Sequence, residues 1–329
     1  MDNLQNEIIK KATALLTDKT VDRVIGWKRG EFVFDPSPAT FSTVESLKDF
    51  VYNSFCGANL SKYLIAESKK EGKIAVFLKA CDSYSFNQLL TEKRIKKENV
   101  LPILVQCNGM LDIFKIKNEE GEVVLDVLDN GETVTVKSPY GDRNLNKAEV
   151  LLTKCLSCKG FAQVDGAEEI RVSESTLPNL DRFDIVKELE NMSEDERFEF
   201  WQNELSKCIR CNACRNVCPA CSCTKCVFDN NDSGVAGKAN ADSIEEQLFH
   251  VIRAFHVTGR CTDCGECSRV CPQRIPLHLL NRKFIKDSNT LYGEYQAGAV
   301  VDGKSPLTSF TEKDPDPTEA VNMEGVKNA

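Results

Sequence analysis

From residue 3 to residue 16 apolar side chains return at helical spacing, with Leu4, Ile8, Ala12 and Leu15 on one side, so the chain opens on an amphipathic helix. Two alternating runs follow, Arg23 to Trp27 and Glu31 to Phe34, and Lys28-Arg29-Gly30 between them predicts a hairpin. Thr43 to Lys69 has mostly helical composition. Lys73 to Leu78 and Val100 to Val105 are short β-rich apolar runs on either side of a helical stretch, Ser83 to Arg94. That order predicts a βαβ unit with parallel strands covered by the crossover helix. From Glu122 to Ser138, Val123, Leu125 and Val127 and then Val134 and Val136 alternate around Asn130-Gly131, a second hairpin signal.

The pattern then changes. Residues 163 to 183 are acidic and polar, include Pro178, and read as a linker. Ser193 with Glu196 three residues on forms a capping box that opens a helix with Phe198, Phe200 and Trp201 on its apolar face. A further helix is predicted from Ser243 to about Val257, and beyond Gly298 the polar, proline-bearing chain reads as a disordered tail. The fold class is α+β. An N-terminal α/β domain (1–162) carries the short parallel βαβ unit, and residues 163–192 link it to a mainly helical domain (193–297) followed by the tail (298–329).

A chain of 329 residues allows two or three folded units. With 41% hydrophobic and 28% charged residues it has the composition of ordinary globular protein. Its longest apolar runs, such as Ile74 to Leu78, fall far short of the roughly 20 residues a membrane span needs. The N-terminus has no apolar signal core and no twin arginine, so a cytoplasmic setting is expected. Net charge is -8, from 42 basic and 50 acidic residues, without a sustained Lys/Arg run; Lys93 to Lys97 reads as a solvated face. Nucleic acid is therefore a poor partner.

Chemistry enters with 16 cysteines against only three histidines. In a reducing compartment clustered thiols bind metal or do redox work rather than form disulfides. One sentence of sequence occurs twice: Cys208-x2-Cys211-x2-Cys214-x3-Cys218-Pro219 and Cys261-x2-Cys264-x2-Cys267-x3-Cys271-Pro272. Three thiolates at x2 intervals wrap one face of a 4Fe-4S cubane, and in two-cluster ferredoxins the cysteine before proline reaches across to the other cluster. Cys208, Cys211, Cys214 and Cys271 are accordingly assigned to one cluster, and Cys261, Cys264, Cys267 and Cys218 to a second. Zinc sites pair C-x2-C knuckles instead and lack the doubled run. His250 and His256 read as packing or hydrogen-bonding residues, because both clusters already have four thiolates.

Cys81 and Cys107 follow the two strands of the βαβ unit and should emerge together at the carboxyl edge of the sheet, where open α/β sheets bind ligands. Asp82-Ser83 is expected to cap the helix there. The pair Cys155 and Cys158 follows the second hairpin and could close over that edge, which gives a candidate third 4Fe-4S cluster on Cys81, Cys107, Cys155 and Cys158. The alternative is that Cys81 and Cys107 are core thiols and that the Cys155 and Cys158 pair is incidental or binds zinc. The roles of Cys221, Cys223 and Cys226, in the run ACSCTKC, and of Cys56, placed in the preceding helix, stay open between metal binding and unligated thiols.

The segment LKACDSYSFNQLLTEKRIKKENVLPILVQCNGMLD, the pair KCLSC, the run CIRCNACRNVCPACSCTKC and the late AFHVTGRCTDCGECSRVCP together resemble the beta subunits of coenzyme F(420)-dependent hydrogenases and formate dehydrogenases, over most of residues 40 to 285. The resemblance implies passage of electrons between a partner's clusters and a bound FAD, which reduces the deazaflavin in the methanogen enzymes. Here the ferredoxin module stands at the C-terminal end, and no G-x-G-x-x-G fingerprint is present. That favours a bacterial-type iron-sulfur subunit. It would relay electrons between a formate dehydrogenase, hydrogenase or heterodisulfide reductase-like partner and a soluble carrier; the alternative is an FAD-containing subunit that itself reduces a deazaflavin.

Overall fold

The computed structural model describes residues 2–117, 123–173, 177–230 and 243–309. The first helix, Asp2–Thr17, packs on a five-stranded sheet in the order β2-β1-β3-β4-β8, formed by β1 (Arg23–Lys28), β2 (Ser37–Phe41), β3 (Ile74–Leu78), β4 (Val100–Val105) and β8 (Glu168–Ile170). β1, β3, β4 and β8 run parallel and β2 is antiparallel to β1. Every side chain of β3 is buried, as a central parallel strand covered on both faces requires. β5 (Asp126–Asp129), β6 (Thr133–Lys137) and β7 (Arg143–Asn146) make a separate antiparallel sheet. The Asn130-Gly131 hairpin is thus present, with a third strand added to it.

Three expectations are corrected. The partner of β1 is Ser37–Phe41 rather than Glu31 to Phe34, because Phe41 is the aromatic that buries against Phe50 while Phe32 remains 45% exposed. Thr43 to Lys69 is mostly irregular, with short turns of helix at Glu45–Asp49, Leu60–Tyr63 and Leu64–Glu67. Asn53 and Asn59 turn their side chains onto the backbone N–H groups of Phe55 and Ser61, which competes with a continuous helix. Phe198, expected on an apolar face, is 58% exposed.

Residues 163–192 hold strand β8 and the helix Asp184–Glu190, so this stretch adds the outer strand to the sheet. Part of the expected tail is also packed: Asn87 Nδ2 donates to Gly298 O at 3.0 Å, and Gly298 and Ser305 are buried. From residue 310 onward the tail lies outside the described residues. In the C-terminal part the helix Ser243–Val257 packs on Glu194–Ser206 and Leu277–Tyr292. The core there includes sulfur: Cys214, Cys267 and Cys271 pack with Leu205, Ile275 and Leu277. No helix among the described residues is long and apolar enough to cross a membrane.

Candidate metal centres

Both halves of the doubled motif take the same backbone path. The second and fourth residues after the leading cysteine are left-handed in each, Arg210 and Asn212 in the first and Asp263 and Gly265 in the second. Those two reversals curl each loop before a short helix, Ala213–Val217 or Glu266–Arg269, carries the third cysteine inward. Gly265 is needed for a second reason, since a Cβ there would stand 2.8 Å from Lys154 Cβ.

The sulfurs sort into the sets expected from spacing. Cys208, Cys211, Cys214 and Cys271 line one cavity, and Cys218, Cys261, Cys264 and Cys267 line a second, so each fourth cysteine sits with the other motif's three. Arg210 N–H donates to Cys208 Sγ at 3.3 Å, and Asn281 Nδ2 lies 3.8 Å from Cys267 Sγ.

At the sheet edge, Leu78 of β3 pairs with Leu104 of β4, and Cys81 and Cys107 each follow three residues later. Matched register and matched offset bring them to one place. The N-cap of the Ala80–Thr91 helix is Lys79 rather than Asp82-Ser83: Asp82 is its third residue and accepts back from Lys79 N–H. Leu111 bridges Leu151, and Leu152 N–H donates to Met110 O, which folds the Cys155 and Cys158 segment over the edge. Cys81, Cys107, Cys155 and Cys158 then line a third cavity. Met110 N–H donates to Cys155 Sγ at 3.4 Å.

That cavity is also lined by Lys79, Lys154 and Lys159, which no feature of the sequence marked. Lys79 is wholly buried, paired with Asp82 at 2.8 Å and 4.4 Å from the Trp27 ring centroid. Lys154 pairs at 2.7 Å with Glu266, which Arg269 also holds at 2.8 Å. Burial alone would raise the Glu266 carboxyl; the two cations outweigh it and hold it well below the usual range. Cys56 lies in the irregular segment, not a helix, and is a buried core thiol.

The donor sets fit iron-sulfur clusters. Burial pushes Cys107 and Cys267 up to about 12 and Cys264 up to about 11, so holding them as thiolates requires compensating positive charge, which cluster iron supplies when bound. A single zinc needs its donors close, at bonds of about 2.3 Å to sulfur. Among the described residues the one group of three or more donor atoms within 4.8 Å of each other is Cys208, Glu246 and His250. No three sulfurs of any one set lie within 4.8 Å of one another, which is wider than one ion would draw them.

Comparison with known proteins agrees. The description of a 4Fe-4S dicluster domain matches residues 204–275. The chain is similar to the F420-dependent formate dehydrogenase subunit beta of Methanocaldococcus jannaschii, at 26% identity over 84% of this chain and 88% of the relative. It is also similar to the F420-dependent formate dehydrogenase 1 subunit beta of Methanococcus maripaludis, at 25% identity over 89% of each. A solved structure, the xenon-derivatised F420-reducing NiFe hydrogenase complex from Methanosarcina barkeri, contains a chain that overlaps 62% of this one and 90% of its own length, at 11% identity and a TM-score of 0.36. The two curated relatives span most of the sequence, and the chain is a homologue of the beta subunits of F420-dependent formate dehydrogenases.

Proposed function

We propose that the chain is the iron-sulfur electron-transfer subunit of a multi-subunit redox complex, with two 4Fe-4S clusters on the doubled motif and a third on Cys81, Cys107, Cys155 and Cys158. One observation carries the reading: Cys264 and Asp263 line both the N-terminal thiol cavity and the cavity of the second motif. Cubanes in those two places would share a wall, and the crossed Cys218 and Cys271 tie the second motif to the first. The result is a line of one-electron carriers from the sheet edge through the ferredoxin-like part. The chain's own residues position and insulate the clusters.

In keeping with the relatives' names, formate dehydrogenase is the first partner to test, ahead of a hydrogenase or heterodisulfide reductase-like protein, and a deazaflavin the first soluble carrier. Full-length protein purified anaerobically should hold at least about twelve irons per chain, and Cys81→Ser about four fewer. Unchanged iron in Cys81→Ser would remove the N-terminal cluster and end the line at two. Flavin released on denaturation would turn the reading towards a subunit that itself reduces the deazaflavin.

A further inference from the structure

Cys221, Cys223 and Cys226 belong to none of the three cavities above; they line a fourth, of about 370 Å³, whose wall also carries His256. The loop bearing them is fixed at both ends. Cys221 N–H donates to Cys218 O at 3.1 Å, and after Cys226 a tight turn, Val227–Asp229, buries Phe228 against Phe249 with ring centroids 4.6 Å apart.

The cavity is strongly cationic. Three of its cations have partners: Lys62 Nζ donates to Cys221 O at 2.7 Å, Arg215 pairs with Asp229 at 2.6 Å, and Arg260 pairs with Glu92 at 2.6 Å. Arg253 is different. It is 1% exposed, lines the same cavity, and none of its three guanidinium nitrogens has a hydrogen-bond partner among the described residues. A buried charge is costly without compensation, and Arg253 faces the thiols of Cys267, Cys214 and Cys218 as well as Cys221, so it stands between the doubled motif and this cavity and favours thiolates on both sides. A single divalent ion and a 4Fe-4S core both carry net negative charge on three thiolates, so the separation of the donors decides between them. No three donors in this cavity come within 4.8 Å of one another among the described residues, which is wider than one ion draws its ligands and suits a cluster. The N-terminal cavity has the same make-up, thiols among buried lysines.

We propose that Cys221, Cys223 and Cys226 hold a further 4Fe-4S cluster, with His256 as donor to its fourth iron and Arg253 as its buried counter-charge. The proposal rests on reading the neighbouring thiol cavities as cluster sites. Contact between the Cys221 and Cys218 side chains places it beside the second-motif cluster. One electron passes from that cluster, which is oxidised, to this one, which is reduced; no bond forms or breaks. Cys223 is exposed, so the electron leaves towards the surface on this side.

The test compares full-length protein with Cys223→Ser and Cys226→Ser, all purified anaerobically, for iron, acid-labile sulfide and zinc. Each variant is expected to lose about four irons and four sulfides, with the electron paramagnetic signals of the doubled motif retained. Because Cys223 is exposed, its replacement leaves the core intact. Unchanged iron, or loss of zinc instead, overturns the proposal. His256→Ala should keep the iron and change the line shape of one signal; an unaltered spectrum removes His256 as ligand. Failure of the other assignments is read separately, in Cys81→Ser and Cys214→Ser, and leaves the Cys223→Ser result standing.

Discussion

His250 can set the behaviour of a cluster without binding it. Its Nε2 lies 3.3 Å from Cys208 Sγ, and burial, with Arg253 and Arg210 nearby, brings its pKa down to about 3, so the ring is neutral. With Cys208 as a cluster ligand, an N–H donated to the thiolate favours the reduced cluster. A hydrogen bond of about 1 kcal/mol corresponds to roughly 40 mV for one electron. His250→Ala should therefore lower the potential of one cluster by about that much in an electron paramagnetic titration, and leave the others where they are. A second residue tests the crossing: Cys218→Ser should damage the cluster of Cys261, Cys264 and Cys267 while that of Cys208, Cys211 and Cys214 persists. The reverse pattern would mean each motif keeps its own fourth cysteine. The grouping of the cysteines around two cavities was legible in the sequence, three of each set from local spacing and the fourth from the doubling of the motif. The hydrogen bond of His250, the buried lysines and the buried Arg253 were not, since each depends on packing between segments far apart in the chain.

Among the elements, those with strong local signals came out as read. The Ser193 box is present in full: Ser193 Oγ accepts from Glu196 N–H, and the Glu196 carboxylate accepts from Ser193 N–H at 2.9 Å. Ser193→Ala should cost about 1 kcal/mol, seen as a lower midpoint in thermal unfolding with iron content unchanged. A loss of iron would show that the cap also positions Cys208. Strands β3 and β4 were legible from their apolar runs. β8 was not, because Glu168 and Glu169 give it no apolar pattern; it is an outer strand, where charge discourages pairing with other chains. The segment after residue 43 misleads by composition, and the side chains of Asn53 and Asn59 decide its course instead.

At the scale of the whole molecule, the two halves are joined by buried polar contacts. Lys154 pairs with Glu266, Ser85 Oγ lies 2.9 Å from Thr262 Oγ1, and Lys159 Nζ donates to Thr262 O at 2.9 Å. Removing one member of a buried ion pair leaves the other uncompensated, at about 3–5 kcal/mol. Glu266→Gln should lower the unfolding midpoint accordingly and weaken iron retention in the N-terminal cavity and the second motif together. Iron loss confined to the second motif would show that the halves stand independently. None of this junction was legible in the sequence, which suggests two domains and a linker. A fragment ending near residue 165 would lack β8, Glu266 and the Cys264 wall. The shared wall also bears on the order of biosynthesis. During translation Cys81, Cys107, Cys155 and Cys158 leave the ribosome some hundred residues before Cys264 closes over them. Until that moment the N-terminal cavity is open on one side. The machinery that delivers iron and sulfide has access to the nascent chain during that interval, and docking of the second motif ends it.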